Sequence, residues 1–437
     1  MIFKKGEKFT YEGEEVKIVD FLGEGGQGEV YLINYQGKQY AFKYYKERPD
    51  DNFKYNLKNN ITKGSPSESF LWPKLYVEFE DGDCGYIMDL RPHRFVSFIS
   101  YLNGVNKFIN KKTMLKWCIS LVNNFKLLHE KGFSYQDLND GSFFLDPKTG
   151  DLLICDNDNV SANKTNLGIL GKMRYMAPEI VRGDKDRITG DRQLPDIHSD
   201  RFSLAIILFL TMCLGNPFEG EVLKKYTLVD EKAEYEMFGT HPVYIYNDKD
   251  KSNRPIRGYH TTVLKRYPEL PTYIKEAFHK TFTEGLKDRE NSRVPEIEWL
   301  KLLCRYRDEI MTCECGEEYV YGFYERKRNE KCPKCNKKKK FCYLNFGRMK
   351  VLLEPGKELY KFHVDKYSSE YSEVIATVIQ NKNNPSLWGI KLNLDSEVYV
   401  KDSQGTEKLI PANGVIPIVN KLKIKFPTGV VSQIETN

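Results

Sequence analysis

The sequence predicts an α+β chain: a small β-rich lobe, a larger helical lobe, a short cysteine-bracketed ribbon and a terminal all-β sandwich. Residues 16 to 44 alternate apolar and polar side chains around two glycine-containing turns, Gly23 to Gly28 and Gln36-Gly37, as successive antiparallel strands do. From Asn110 the apolar positions Met114, Trp117, Cys118, Leu121, Phe125, Leu127 and Leu128 recur at helical spacing and stop at Gly132. From about Leu344 short strands alternate with turns such as Glu354-Pro355-Gly356, Asp402-Ser403-Gln404-Gly405 and Pro427-Thr428-Gly429, the pattern of a β-sandwich.

Between these landmarks, residues 50 to 66 are asparagine-rich and predict a helix, and Lys74 to Phe79 with Gly85 to Leu90 predict two further strands. Asp200 opens a long buried helix, and helical patterns continue to about Ile310. The expected limits are 1–310 for the first domain, with lobes of about 1–90 and 91–310, then 311–343 for the ribbon and 344–437 for the sandwich. A chain of 437 residues exceeds what one hydrophobic core normally serves, so several domains are expected.

Hydrophobic residues at 40% and charged residues at 29% describe a globular protein in water, and a net charge of +6 spread through both signs gives no reason to expect a nucleic-acid or membrane partner. The run Lys337-Lys338-Lys339-Lys340 reads as a solvated face or loop, with a patch for an anionic partner as the alternative. No signal-peptide core follows Met1, and the longest apolar run, Leu204 to Leu214, falls short of the roughly 20 residues of a membrane span. A cytoplasmic, reducing location is therefore expected, in which the ten cysteines are thiols or metal ligands.

Three groups of residues carry chemistry in a fixed order. Gly23-Glu24-Gly25-Gly26-Gln27-Gly28-Glu29-Val30 is followed on the next strand by Tyr40-Ala41-Phe42-Lys43. Tyr135-Gln136-Asp137 and Asp156-Asn157-Asp158 flank the apolar strands Phe143-Phe144-Leu145 and Leu152-Leu153-Ile154, and Ala177-Pro178-Glu179 closes the series. A glycine turn lets backbone N–H groups approach phosphate oxygens unobstructed, a lysine beyond it can reach the same phosphates, and two carboxylates can divide metal binding from orientation of an acceptor hydroxyl.

On these motifs residues 15 to 310 resemble the eukaryotic-type protein kinase superfamily. The resemblance implies ATP and Mg²⁺ (or Mn²⁺) as cofactors, a protein substrate, and serine or threonine as acceptor. It implies that Gly23, Gly25, Gly28 and Lys43 hold the phosphates, that Leu22, Val30, Ala41 and Phe144 enclose the adenine, and that Met88, Asp89 and Leu90 offer backbone hydrogen bonds to its edge. Asp137 is then the catalytic carboxylate and Asp156 a metal ligand, Glu179 pairs with Arg293, and Asp200 anchors the catalytic loop from below. Gly64-Ser65-Pro66-Ser67-Glu68-Ser69-Phe70-Leu71-Trp72-Pro73 and Ser252-Asn253-Arg254-Pro255 are similar to bacterial serine/threonine kinases of tellurite-type stress operons. That narrower likeness implies a von Willebrand-type domain protein and a metal-dependent protein phosphatase as associates, and a forkhead-associated-like tail.

The pattern also departs from the superfamily. Gln136 replaces an arginine, which removes the usual partner of an activation-segment phosphate, and Asn157 replaces an apolar ring. Ser142 stands where an asparagine normally binds a second metal, and its hydroxyl is the candidate Mg²⁺ ligand beside Asp156. Asn139 replaces a lysine, while Lys172 replaces a threonine and is a candidate for the missing charge near the γ-phosphate. Around residues 57 to 61 no glutamate is available to pair Lys43, and Glu68 is the nearest carboxylate. A catalytically impaired, nucleotide-binding scaffold is the alternative these departures leave open.

Cys313 and Cys315, then Cys332 and Cys335, form two pairs of the kind that close a tetrahedral structural Zn²⁺ site, with Cys342 as a substitute ligand and free thiols as the alternative. Cys84, Cys118, Cys155, Cys213 and Cys304 lie in apolar runs and are expected in the core. The tail lacks the Gly-Arg and Ser-x-x-His signals of phosphothreonine binding, so a docking or self-association surface is the expected role of 344–437.

Overall fold

A glycine-rich hairpin and the strands around it build the first sheet of the computed structural model, which describes residues 2–165, 167, 171–186 and 189–437. Its strands are β1 (Lys8–Tyr11), β2 (Glu14–Glu24), β3 (Gly28–Tyr35), β4 (Lys38–Tyr45), β5 (Leu75–Glu78) and β6 (Cys84–Asp89). All pairs are antiparallel, in the order β1-β2-β3-β4-β6-β5. The register sets Val30 opposite Lys43 and Ala41 opposite Met88, so the phosphate-side lysine and the adenine-side residues share one sheet. Gly28 is required by packing: a Cβ there would meet the Tyr44 carbonyl oxygen at 2.4 Å.

Helix α1 (Asp51–Lys63) crosses between β4 and β5. Asp50 caps it by accepting the Phe53 N–H, and Gly64, at φ 72°, ends it. Its buried face is Phe53, Asn56, Leu57 and Asn60, an unusually polar set. Both amides have a partner, since Asn56 Nδ2 and Asn60 Nδ2 donate to the Val160 carbonyl at 2.8 and 2.6 Å. The helix is thereby fastened to the segment that follows Asp156.

Helix Lys111–Glu130 buries Met114, Trp117, Cys118, Leu121, Phe125 and Leu128, as the periodicity predicts. Helix Ile197–Cys213 begins with a capping box of Asp196 and Ser199 and is buried along most of its length. Among the described residues no helix is long and apolar enough to cross a membrane. Two short antiparallel pairs, Phe133–Tyr135 with Val160–Ala162 and Phe143–Leu145 with Leu152–Ile154, hold the loops that carry Asp137 and Asp156.

The chain divides into two compact units, one of Met1–Ile109, Asn124–Pro268 and Ala277–Glu296, the other of Asn110–Asn123, Glu269–Glu276 and Ile297–Asn437. In the second, the hairpin Ile310–Thr312 and Glu318–Val320 precedes two antiparallel sheets. The six-stranded sheet runs in the order Lys350–Leu353, Cys342–Asn345, Val431–Thr436, Lys423–Lys425, Val398–Lys401, Glu407–Ile410. The four-stranded sheet runs Glu358–Tyr360, Val374–Gln380, Trp388–Leu392, Val415–Pro417. One apolar core, including Leu344, Val351, Ile375, Ile390, Ile416, Ile424 and Ile434, is shared by both. Buried Asp308 and His363 (2.8 Å) tie the helix Glu296–Asp308 to this part of the unit.

Candidate active site

A cleft of about 1120 Å³ gathers most of the residues singled out in the sequence. Leu22, Gly23, Gly25, Gly28, Val30, Ala41, Lys43, Met88, Asp89, Leu90, Phe144, Asp137, Asp156 and Lys172 all line it. The glycine loop is closed on itself by the Gly25 N–H to the Gly28 carbonyl at 2.8 Å. At its tip Gln27 accepts a hydrogen bond from Lys43 Nζ and donates one to Asn159 Oδ1, both at 3.3 Å.

Lys43 is buried, and its partner is not on α1. Its Nζ donates to Asp158 Oδ2 at 2.7 Å and lies 3.8 Å from Asp156 Oδ1. Burial opposes the ammonium charge, but the two carboxylates outweigh it and hold the lysine pKa above its ordinary value. Glu68 is exposed and takes no part in this pairing. Asp158, which sequence reasoning did not single out as a partner, also receives the Tyr45 and Tyr86 hydroxyls. The available signal was a second acid two residues past Asp156 together with the absence of any acid on the buried face of α1.

Asp156 sits in the left-handed backbone region (φ 54°, ψ 39°), which turns its carboxylate toward the cleft. Asn157 behind it is fully buried, its Nδ2 bound to the carbonyls of Leu71 (3.0 Å) and Ile154 (2.9 Å). A polar amide thus pins the loop where the superfamily pattern has a packed ring. The carboxylate of Asp156, open to the cleft beside the glycine loop, fits a divalent cation.

The other residue expected to bind the metal, Ser142, has protein partners for its hydroxyl. Ser142 is fully buried and absent from the cleft wall, and its hydroxyl is engaged by the Asp137 carbonyl and the Asn139 N–H. With Asn139 it forms a capping box that shapes the catalytic loop. Lys172 lines the cleft, half-exposed, with its ammonium paired to Asp140 at 2.8 Å. Cys155, expected in the core, is only half-buried and lines the cleft.

Asp137 has one carboxylate oxygen, Oδ1, that is buried without a hydrogen-bond partner among the described residues. Burial pushes its carboxyl up, against the opposing influence of Asn139 and Lys172. An unsatisfied acceptor at this depth suits a hydroxyl donor from a bound substrate. Next to it Gln136 tethers the following segment, its Nε2 donating to Ser161 Oγ at 2.6 Å and to the Thr165 carbonyl. Residues 166, 168–170, 187 and 188 lie outside the described residues.

The loop is supported from below. Asp200 Oδ2 accepts the Tyr135 N–H at 2.7 Å and contacts His129 Nε2 at 3.0 Å, while His129 Nδ1 lies 3.0 Å from Glu296. Glu179 receives a two-pronged Arg293 guanidinium at 2.8 and 2.7 Å, which overcomes burial and holds its carboxyl down to about 2. Burial disfavours the charged form of His129, but its hydrogen bonds to Asp200 and Glu296 raise its pKa from 6.5 to about 9. A folded-state pKa above the unfolded value means that this stabilisation is complete below pH 6.5 and is lost as pH rises through 9. Thermal unfolding should accordingly show the gap between wild type and His129→Gln narrowing from pH 6.5 to pH 9.5, an end point roughly half a unit past that pKa. A constant gap would contradict the charged-histidine assignment.

In the second unit, Cys313, Cys315, Cys332 and Cys335 bring their Sγ atoms within 4.8 Å of one another. The closest pairs are Cys313 with Cys335 at 3.5 Å and Cys315 with Cys332 at 3.7 Å. Tetrahedral zinc with Zn–S bonds of roughly 2.3 Å requires sulfur–sulfur edges of roughly 3.8 Å, so the donor set fits that ion. Two turns present the thiols, one closed by Gly316 N–H to the Cys313 carbonyl and the other by Asn336 N–H to the Cys332 carbonyl. Cys342 lies on a strand of the six-stranded sheet and outside the cluster.

A two-lobed fold with a glycine loop, a buried lysine and two loop carboxylates in one cleft defines a phosphotransferase of the protein kinase type. The protein kinase domain model matches residues 16–280, and the chain belongs to that family. One similar solved structure is the autoinhibited serine kinase domain of the giant muscle protein titin. It is 14% identical, with a TM-score of 0.47 over 66% of this chain and 78% of the other.

Proposed function

We propose that the protein transfers the γ-phosphoryl group of ATP to serine or threonine hydroxyls of protein substrates. The observation that carries this reading is the convergence on one cleft, roofed by the glycine loop, of Lys43, Asp156 and the Asp137 oxygen that has no hydrogen-bond partner among the described residues. Apolar Leu22, Val30, Ala41 and Phe144 would enclose the adenine, and the Met88–Leu90 backbone would meet its edge. Backbone N–H groups of the glycine loop and the Lys43 ammonium would hold the phosphates. Asp137 would accept the hydrogen bond of the acceptor hydroxyl and take up its proton. The acceptor oxygen then bonds to the γ-phosphorus as the bond to the β-phosphate oxygen breaks, and ADP leaves. Asp156 would hold Mg²⁺, which when bound neutralises charge on the phosphates.

The four thiolates would hold structural Zn²⁺ with no open position, stiffening the ribbon without contributing to chemistry. The two sheets of the tail support a forkhead-associated-like sandwich, which we assign a docking role. Incubation with labelled ATP, Mg²⁺ or Mn²⁺ and a mixed protein substrate should yield phosphoserine and phosphothreonine on hydrolysis. Label recovered only as phosphotyrosine would overturn the acceptor assignment.

A further inference from the structure

One ammonium faces two carboxylates in the cleft, and they differ in kind. The side chain of Asp158 is 0% exposed and that of Asp156 is 46% exposed. Both Asp158 oxygens are occupied: Oδ2 by Lys43 and by the Tyr45 hydroxyl at 2.7 Å, Oδ1 by the Tyr86 hydroxyl at 3.2 Å. Asp158 therefore cannot serve an incoming cation, whereas Asp156 faces the cleft. The buried face of α1 carries no acid, and the helix is fastened instead by Asn56 and Asn60 to the Val160 carbonyl.

We propose that Asp158 is the positioning residue of Lys43, drawing the ammonium into the fold so that Asp156 stays free to bind the divalent cation. This deepens the kinase reading given above and rests on it. An ammonium 3.8 Å from Asp156 is already close enough to bond it after a small side-chain rotation. What prevents that is the shorter bond to a carboxylate that has no other cationic partner among the described residues and cannot remain buried alone. Lys43 is consequently set by the turn Asn157–Asn159 that directly follows the metal ligand, and not by α1. Lysine and metal ligand are thus placed by one loop.

The test is ATP binding by the full-length protein, measured calorimetrically over a range of Mg²⁺ concentrations. Asp158→Asn keeps the shape and removes the charge, and it should raise the Mg²⁺ concentration for half-maximal binding by about tenfold, because Lys43 turns to Asp156. Metal-free ATP affinity should stay within about threefold of wild type, since the ammonium remains in the cleft. Tyr45→Phe, a milder change, should shift the Mg²⁺ requirement in the same direction by less, and Glu68→Gln should leave it unchanged. A merely structural role would weaken binding equally at every Mg²⁺ concentration, and that result, or an unshifted requirement in folded Asp158→Asn, overturns the proposal. If Asp158→Asn does not fold, an unshifted requirement in Tyr45→Phe does so. Absence of ATP binding by the wild type at every Mg²⁺ concentration would overturn the nucleotide site, and this proposal with it.

Discussion

Lys43→Met is expected to lower phosphoryl transfer by at least about 10²-fold, the scale seen when one preorganised charge-stabilising group is removed from a reacting centre. The methionine fills the same volume but offers the phosphates nothing. It also leaves Asp158 buried with two tyrosine hydroxyls and no cation. Breaking a buried ion pair by deleting one partner costs about 3–5 kcal/mol, so the β-rich lobe should lose stability as well. Initial rates with labelled ATP and the melting temperature of the same preparation read both effects. Transfer within threefold of wild type, or an unchanged melting temperature, would contradict the assignment.

Metal removal is expected to have the other large effect, in the second unit. The hairpin of the ribbon has two strands of three residues each, too little to persist on its own. Its core is a small cluster that includes Met311, Tyr319, Tyr321, Phe323 and Phe341 with the buried Cys313 and Cys332. Zinc binding in isolated finger peptides contributes on the order of 10 kcal/mol of folding free energy, so the ribbon should unfold without it. Purified protein should carry one zinc per chain, and chelation or Cys332→Ser should open residues 310–342 to proteolysis. A metal-free protein with a protease-resistant ribbon would refute the site.

The parts of the site that sit in short contiguous motifs were legible in the sequence, because chemistry fixes their spacing. The glycine loop followed by Lys43, Asp137 and Asp156 are of this kind. The Asp200 anchor and the Glu179–Arg293 pair join residues 65 and 114 apart and were reached only through the family resemblance. Tertiary pairings outside that family pattern were not legible. Lys43 and Asp158 are 115 residues apart, and no periodicity links a strand to a loop that far along the chain. The partners of the Ser142 hydroxyl were equally invisible in sequence, where nothing marks its capping box with Asn139. Cys155 follows an apolar strand and so resembles a core residue, yet the chain turns there and brings it to the cleft. In the tail the short strands could be recognised, but not that Cys342–Asn345 pairs with Val431–Thr436 at the far end of the chain.

The most direct test of the central claim, that one cleft clamps the triphosphate between Lys43 and Asp156 while Asp137 addresses the acceptor, is transfer of label from ATP by wild type and Asp137→Asn side by side. Label on protein with wild type and its loss with the variant is the predicted result. Label with both, or with neither, would contradict it and favour a nucleotide-binding scaffold.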